Sequence, residues 1–134
     1  YFAHWLAMGE RAGAQLPKIF QVNWFRRSAD GKFLWPGFGD NVRVLKWALE
    51  RLDGTAPAER TPVGFVPTAA ALDLDGLGDG YRGLIDAALT VDRGEWVREL
   101  ESIDEWYATI GGNRLPDALR AELAALKLRL AEEV

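Results

Sequence analysis

Apolar residues recur at helical spacing over most of the chain. This pattern predicts a short helical turn beginning at Thr68 and α-helices at about residues 1–11, 41–52, 80–89, 92–109 and 116–133. One segment differs, because apolar and aromatic residues alternate over residues 18–25, which predicts a β-strand. Residues 32–35 predict a second, shorter strand.

Two of the predicted helices carry an apolar face. Asp40 or Asn41 is the expected cap of the first of them, and Asp53-Gly54 is expected to end it. Trp47 lies on the flank of its expected apolar face, which comprises Val42, Leu45, Leu49 and Leu52. In the last helix, which Pro116 is expected to open, the stripe comprises Leu119, Leu123, Leu126 and Leu130.

Turn residues separate these elements. Asp30-Gly31 predicts a tight turn, and residues 36–39 predict a sharp loop because two glycines permit unusual backbone angles. Residues 55–61 are expected to form a linker, and residues 62–67 an extended connection between two prolines. The fold class predicted is therefore an α+β fragment, mainly helical with a few short strands. Its expected division is residues 1–54 (helix end, strand, aromatic loop and helix) and residues 55–134 (linker and helical tail).

Composition narrows the classes of function. The formal net charge is -4, and the one dense basic spot is Arg26-Arg27, which argues against a nucleic-acid partner. The chain has no cysteine, which excludes disulfides and thiolate metal sites, and no apolar run approaches the ~20 residues of a membrane helix. We therefore expect a cytoplasmic protein. The apolar opening Tyr1-Phe2-Ala3, without an initiator Met, predicts that upstream sequence is missing.

The segment from Asn23 to Asn41 is the part of the chain that points to chemistry. It places five aromatic residues on a turn-rich stretch and an Asn at the start of a helix. Aromatic rings on loops form either core or binding surface, and facing rings form a slot for a flat ligand. A side-chain amide beside such a slot can donate and accept hydrogen bonds, as recognition of a purine requires.

Structural interpretations of the same residues stay open at this point. Trp24 alternates with Phe20 and Val22, so it fits a core position as well as a ligand contact. Asp40 and Asn41 fit simple helix caps. From the residues alone, the segment predicts a pocket for a planar ligand without identifying that ligand.

A longer run of sequence resembles a known family. Residues 16–26 (LPKIFQVNWFR), residues 31–41 (GKFLWPGFGDN) and residues 43–45 (RVL) resemble the guanine-binding region of GTP-dependent phosphoenolpyruvate carboxykinases. The resemblance extends from Tyr1 and residues 3–6 to the looser matches at residues 62–67, 71–74 and 76–78, and is weakest after Tyr81. The chain thus resembles the C-terminal part of a larger mixed α/β nucleotide-binding lobe.

The resemblance implies a set of nucleotide-binding residues. The guanine would lie between aromatic rings, Asn41 would read its edge, and the loop would supply close contacts. Trp24 and Trp35 would lie further from the base, and Gln21, where the family often has His, would be a surrounding residue. The family often has Glu where Asp40 stands, and little effect is expected. The implied nucleotide-binding set is Phe25, Phe33, Phe38, Gly39, Asp40 and Asn41.

The family's chemistry is also implied only by this resemblance. Similar proteins are lyases, or decarboxylating kinases, that convert oxaloacetate and GTP into phosphoenolpyruvate, GDP and carbon dioxide. They use Mn²⁺ and Mg²⁺, and family precedent gives a monomer acting in gluconeogenesis. This chain has no GxxxxGK[ST] motif, and its single histidine is His4. Catalytic residues and metal ligands are therefore expected outside it, and the 134-residue chain alone is expected to be inactive.

Two other hypotheses remain. The chain could be a non-catalytic module that binds a nucleotide or a sugar in an aromatic slot. Residues 56–134 could be a helical tail that only covers the nucleotide-binding part. The acidic clusters of that tail, together with Asp73 and Asp75, fit solvated helix faces and a loop rather than metal or general-acid sites.

Overall fold

The computed structural model describes residues 1–111 and 114–132, and within them the predicted α+β class is confirmed. In this part of the chain, 3₁₀ turns at Phe38–Asp40 and Ala69–Ala71 accompany a two-stranded sheet formed by β1 (Glu59–Thr61) and β2 (Gly64–Val66). The α-helices of the described residues are α1 (Phe2–Gly9), α2 (Asn41–Leu52), α3 (Asp79–Arg82), α4 (Ile85–Leu89), α5 (Arg93–Ile110) and α6 (Asp117–Ala131).

The chain divides into two compact units. One comprises Lys18–Thr90, and the other comprises Tyr1–Pro17 together with Val91–Val134. The predicted boundary at residues 54 and 55 therefore falls inside the first unit. That unit contains every residue of the implied nucleotide-binding set.

The strands predicted at residues 18–25 and 32–35 were wrong. Residues 18–23 form no regular secondary structure, and Trp24 and Phe25 lie in a turn. No strand of the described chain pairs with this segment, and the second segment makes only an isolated bridge between Arg27 and Phe33. An extended segment becomes a strand only when a neighbour satisfies its backbone groups, which residue alternation cannot guarantee.

The β1–β2 sheet lies instead in the stretch expected to be a linker and an extended connection. β1 and β2 pair antiparallel in the register Glu59 with Val66 and Arg60 with Phe65. Pro62 and Val63 join them, and Gly64 has a φ of 131°, which favours glycine. Of the two prolines that indicated an extended connection, Pro62 therefore lies in the turn of a hairpin and Pro67 directly follows its second strand.

The helices were predicted more accurately, with two differences. The helix expected at residues 80–89 is broken into α3 and α4 around Gly83, a poor helix former. Pro116 precedes α6 rather than opening its first turn, and the predicted end at Glu133 lies outside the described residues. α5 begins as its sequence suggests, because the Asp92 side chain accepts a hydrogen bond from the Glu95 backbone N–H at 2.7 Å.

The core of the first unit is built around tryptophan. Partly buried side chains such as Trp24, Val44 and Ala48 pack against six buried residues, namely Trp35, Trp47, Ala56, Leu72, Leu77 and Ile85. In the other unit, α5 and α6 enclose Leu100, Leu123 and Leu130. Two of the four leucines predicted for the α6 stripe are thus core residues, and Leu126 packs against them.

The buried face of α2 differs from the predicted one. Trp47 is 5% exposed, and Val44 and Ala48 pack beside it, so the residue placed on the flank is the centre of the buried side. The four predicted residues, Val42, Leu45, Leu49 and Leu52, are all more than half exposed. Both faces are apolar, and which face is buried depends on where the segments after residue 55 pack.

Candidate nucleotide-binding site

The site begins with a tight turn that the Asp30-Gly31 pair predicted. The Ser28 backbone N–H donates to Lys32 O at 2.9 Å, and the Gly31 N–H donates to Ser28 O at 2.9 Å. Gly31 has a φ of 81°, the left-handed region that favours glycine. Further back, the Leu34 N–H donates to Arg26 O at 2.9 Å, which aligns the two arms of the turn.

This alignment brings two of the implied site residues together. The ring centroids of Phe25 and Phe33 lie 6.3 Å apart at an interplanar angle of 63°. A flat base between two parallel rings needs about 7 Å between them, because each stacked contact takes roughly 3.5 Å. Phe25 and Phe33 are therefore not a parallel pair, and a base can stack on one of them but does not fit between the two.

An arginine covers one face of Phe33. The Arg27 guanidinium carbon lies 3.8 Å from the centroid of that ring, and the same side chain donates to Gly31 O at 2.7 Å. Its neighbour Arg26 instead donates to the carbonyls of Ala88 and Thr90, at 3.1 and 2.5 Å. The basic pair of the sequence thus splits into one structural arginine and one that stacks on an aromatic ring.

The third aromatic residue of the set projects from a glycine-bounded loop. Phe38 opens the 3₁₀ turn and is 94% exposed. Gly37, which precedes it, has a φ of 119°, and an added side chain there would be strained. An aromatic ring held almost wholly in solvent contributes little to the fold, so its surface is available to a ligand.

Asp40 and Asn41 follow this turn, but neither caps α2 with its side chain as expected. Asp40 occupies the N-cap position without a capping hydrogen bond, and its Oδ1 accepts from Arg43 Nε at 2.8 Å. Asn41 is the first residue of α2, and its Oδ1 accepts a hydrogen bond from the indole Nε1 of Trp35 at 2.8 Å. Both side chains are therefore held by partners that the sequence did not reveal.

Arg43 ties this loop to a second one. Besides Asp40, its guanidinium donates to the backbone O of Asp73 at 2.6 Å, and its side chain is only 16% exposed. The Asp73 carboxylate accepts from Lys46 Nζ at 2.8 Å. This hydrogen bond, followed by one from the Asp75 backbone N–H, lowers the pKa of Asp73, and it raises the pKa of Lys46.

Trp24 and Trp35 are less exposed than the three phenylalanines of the implied set. Trp35 is 8% exposed, and its ring centroid lies 6.0 Å from that of Trp24. Gln21 is exposed. The carboxylates that the sequence left open have ordinary partners, since Asp73 pairs with Lys46 and Asp104 with Lys127.

The sequence did not indicate the roles of Arg27 and Arg43 in the site. It also did not indicate the hydrogen bond from Trp35 to the Asn41 side chain. The position of Arg27 follows from the turn register, because the bridge pairs it with Phe33. Arg43 lies three residues after Asp40, a spacing that allows side-chain pairing on a helix. The bond from Trp35 to Asn41 crosses an irregular loop and leaves no local pattern.

Comparison with known proteins identifies the family. Residues 1–129 match the family described as the phosphoenolpyruvate carboxykinase C-terminal P-loop domain. The chain belongs to this family. It is 58% identical over 133 residues to the phosphoenolpyruvate carboxykinase [GTP] of Arthrobacter sp. (strain FB24), and 52% identical over 135 residues to that of Anaeromyxobacter sp. (strain K).

These alignments cover 98% and 100% of this chain but only 21% and 22% of the carboxykinases. The chain therefore spans about a fifth of the length of the relatives it matches. These matches confirm the family resemblance that was strongest over residues 16–45.

The described residues contain neither a cluster of metal ligands nor a helix that could span a membrane. Across residues 1–111 and 114–132, no group of three or more His, Asp or Glu side chains could hold a metal ion. No helix in the described part of the chain is long and apolar enough to span a membrane.

Proposed function

We propose that this chain supplies the guanine-binding pocket of a GTP-dependent phosphoenolpyruvate carboxykinase. The observation that carries the proposal is the convergence of three features in one unit of a family member. The turn at Asp30-Gly31 pairs Phe25 with Phe33, the loop presents Phe38 to solvent, and Asn41 follows three residues later. The proposed contacts are Phe25, Phe33, Phe38, Gly39, Asp40 and Asn41.

The geometry supports stacking on one face. In the proposed complex the base lies against Phe25 or Phe33, with Phe38 closing from the other side. Stacking of a base on an aromatic side chain contributes about 1–3 kcal/mol by itself. Gly39 has open space where a Cβ would project, so a ligand can approach its backbone closely.

Charge at the pocket is compatible with an anionic nucleotide. Asp40 would repel phosphate if its carboxylate were unpaired, but Arg43 lies 2.8 Å from its Oδ1. The pair leaves the loop close to neutral. Arg27 adds a cation beside the stacking surface, where it strengthens the binding of an electron-rich ring system.

The whole enzyme's reaction is part of the same proposal. It converts oxaloacetate and GTP to phosphoenolpyruvate, GDP and carbon dioxide, a lyase reaction in which a decarboxylation precedes phosphoryl transfer. The relatives' name specifies GTP, and about four fifths of their length lies outside the matched segment. We assign the phosphate-binding loop and the catalytic residues to that remainder, so the 134-residue chain alone should not turn over substrate.

The divalent metals of the family do not fit the residues described here. Mn²⁺ and Mg²⁺ need clustered oxygen or imidazole ligands, and the described residues form no such cluster. We derive no step through these ions and place their ligands in the rest of the enzyme. A cytoplasmic monomer that acts in gluconeogenesis, without nucleic-acid or membrane partners, completes the proposal.

A fluorescence titration distinguishes this proposal from the alternative, a non-catalytic module that binds planar ligands in general. Trp24 and Trp35 lie close to the proposed base site, so their fluorescence should respond to binding. The full-length enzyme that contains this chain, the complete carboxykinase, is titrated with GDP, ADP and a neutral oligosaccharide. A response at lower concentration to GDP than to ADP, and none to the sugar, supports the proposal. Equal responses to both nucleotides would favour the module.

A further inference from the structure

The hydrogen bond between Trp35 and Asn41 fixes which atoms Asn41 can offer to a ligand. An indole Nε1–H is only a donor, so its partner in the amide must be the oxygen Oδ1. The orientation of an Asn amide is usually ambiguous because its O and N look alike, but this bond resolves it. The amide nitrogen Nδ2 is left on the other side of the group.

The donor itself is held rigidly. Trp35 is 8% exposed and packs in the core cluster with Trp47, Leu72 and Ile85. If the amide turned over, its NH₂ would face the indole N–H, and two donors would meet in a largely dry environment. The core therefore keeps Oδ1 occupied and leaves Nδ2 without a hydrogen bond to any other described residue.

We propose that Trp35 is a positioning residue that makes Asn41 a fixed hydrogen-bond donor toward the base, and that this selects guanine over adenine. Guanine presents the acceptor O6 where adenine presents the donor N6–H₂. A fixed NH₂ matches O6 and opposes N6–H₂. A free Asn could turn over and serve either base. The inference rests on the proposed function, because it requires that Asn41 faces the base.

The first test removes the donor from the core. In the complete carboxykinase, Trp35→Phe keeps an aromatic ring but lacks the N–H that holds Oδ1. We expect the ratio of kcat/KM for GTP to that for ATP to fall by about tenfold or more, through a higher KM for GTP. The KM for oxaloacetate should not change.

A matched control separates positioning from loss of stability. Trp47 belongs to the same core cluster, is 5% exposed, and its Nε1 donates to Pro57 O at 3.0 Å. Trp47→Phe thus loses an indole hydrogen bond of the same kind, away from Asn41. It should lower the melting temperature as Trp35→Phe does, yet retain the GTP preference.

A second variant leaves the core intact. Asn41→Asp keeps an oxygen for Trp35 and replaces the NH₂ with a second oxygen, so an acceptor faces the base. The GTP preference should fall about 100-fold or reverse toward ATP, because the acceptor now opposes O6 and matches N6–H₂. If Trp35→Phe does not fold, a GTP preference retained by Asn41→Asp would by itself overturn the proposal.

The outcomes distinguish failure of the positioning role of Trp35 from failure of the proposed function. If the parent enzyme prefers GTP and Asn41→Ala abolishes the preference, while either folded Trp35→Phe or Asn41→Asp retains it, the positioning role is overturned and the proposed function stands. If the parent enzyme does not prefer GTP, the proposed function fails and the positioning role fails with it.

Discussion

At the scale of single residues, some aromatic side chains near the site are buried in the core and others are exposed to solvent. Trp35 and Trp47 are buried and hydrogen-bonded, whereas Phe38 is 94% exposed on a loop with glycine on both sides. Exposed aromatic surface opposes solubility unless a ligand or partner uses it. This contrast allows function to be tested at Phe38 with little disturbance of stability.

Phe38→Ala in the complete carboxykinase should raise the KM for GTP and leave folding almost unchanged. Loss of one stacking ring costs about 1–3 kcal/mol of binding, which is roughly 5- to 150-fold in affinity. The stability change should stay within about 0.5 kcal/mol, as for other surface positions. Steady-state kinetics with GTP and thermal unfolding together measure the two effects. Phe65→Ala, at an aromatic residue of β2 that is 63% exposed, is the control.

Residue identity predicted part of this picture and not all of it. Asp30-Gly31 is a local turn signal, so the approach of Phe25 to Phe33 follows from the sequence. The use of Asn41 Oδ1 by Trp35 does not, because it depends on side-chain directions across a loop whose path is set by Gly37. Asp40 occupies the expected N-cap position, but neither it nor Asn41 makes a capping hydrogen bond, because Arg43 and Trp35 bind those side-chain oxygens.

At the scale of elements, Arg43 links the first turn of α2 to the loop that follows the second 3₁₀ turn. It binds Asp40 on one side and the carbonyl of Asp73 on the other, and it is mostly shielded from water. A partly buried guanidinium with two partners holds its loops more firmly than an exposed ion pair does.

Arg43→Ala should therefore loosen the loop that carries Phe38 and weaken nucleotide binding indirectly. We expect a lower melting temperature and a KM for GTP that rises several-fold, with kcat at saturating GTP preserved. Lys46→Ala is the matched control, because Lys46 pairs with the same Asp73 from a half-exposed position. If the two variants behave alike, Arg43 is an ordinary surface charge.

The Lys46–Asp73 pair also gives α2 a pH dependence of known sign. The Lys46 hydrogen bond lowers the pKa of Asp73 below its ordinary 3.8, so its stabilising effect is complete above that pH and is lost as the pH falls through the lowered pKa. The raised pKa of Lys46 means that its contribution is complete below 10.5 and is lost as the pH rises beyond it. The melting-temperature difference between the parent and Asp73→Asn should be constant between these limits and shrink outside them. A difference that instead grows below pH 3.8 would contradict this assignment.

Element prediction succeeded where the signal was local. The helices have periodic apolar residues and the Asp92 cap, and they lie close to their expected positions. The strand expected at residues 18–25 failed because strands need partners, and no described segment pairs with it. For α2, two apolar faces were available, and packing against Ala56, Leu72 and Ile85 selected the one that carries Trp47.

At the scale of the molecule, the proposed nucleotide contacts and the α5–α6 core belong to different units. Leu100, Leu123 and Leu130 form the core between these two helices, in the segment that the sequence suggested is a structural tail. Stability and nucleotide selectivity should therefore be separable by mutation.

Leu123→Ala should destabilise the protein by about 2–5 kcal/mol, the usual cost of a cavity at a buried leucine. The ratio of activities with GTP and ATP should not change at a temperature where the variant is folded. Chemical denaturation and steady-state kinetics provide the two readings. A change in selectivity would show that the tail takes part in nucleotide recognition.

The nucleotide preference of the complete carboxykinase depends directly on the proposed guanine pocket and can be measured by steady-state kinetics. Oxaloacetate-dependent formation of nucleoside diphosphate is followed with Mn²⁺ present, and kcat/KM is compared for GTP and ATP. We predict a strong preference for GTP that Asn41→Ala reduces. Equal use of both nucleotides, or a preference that survives Asn41→Ala and Phe38→Ala together, would contradict the assignment of the guanine pocket to this chain.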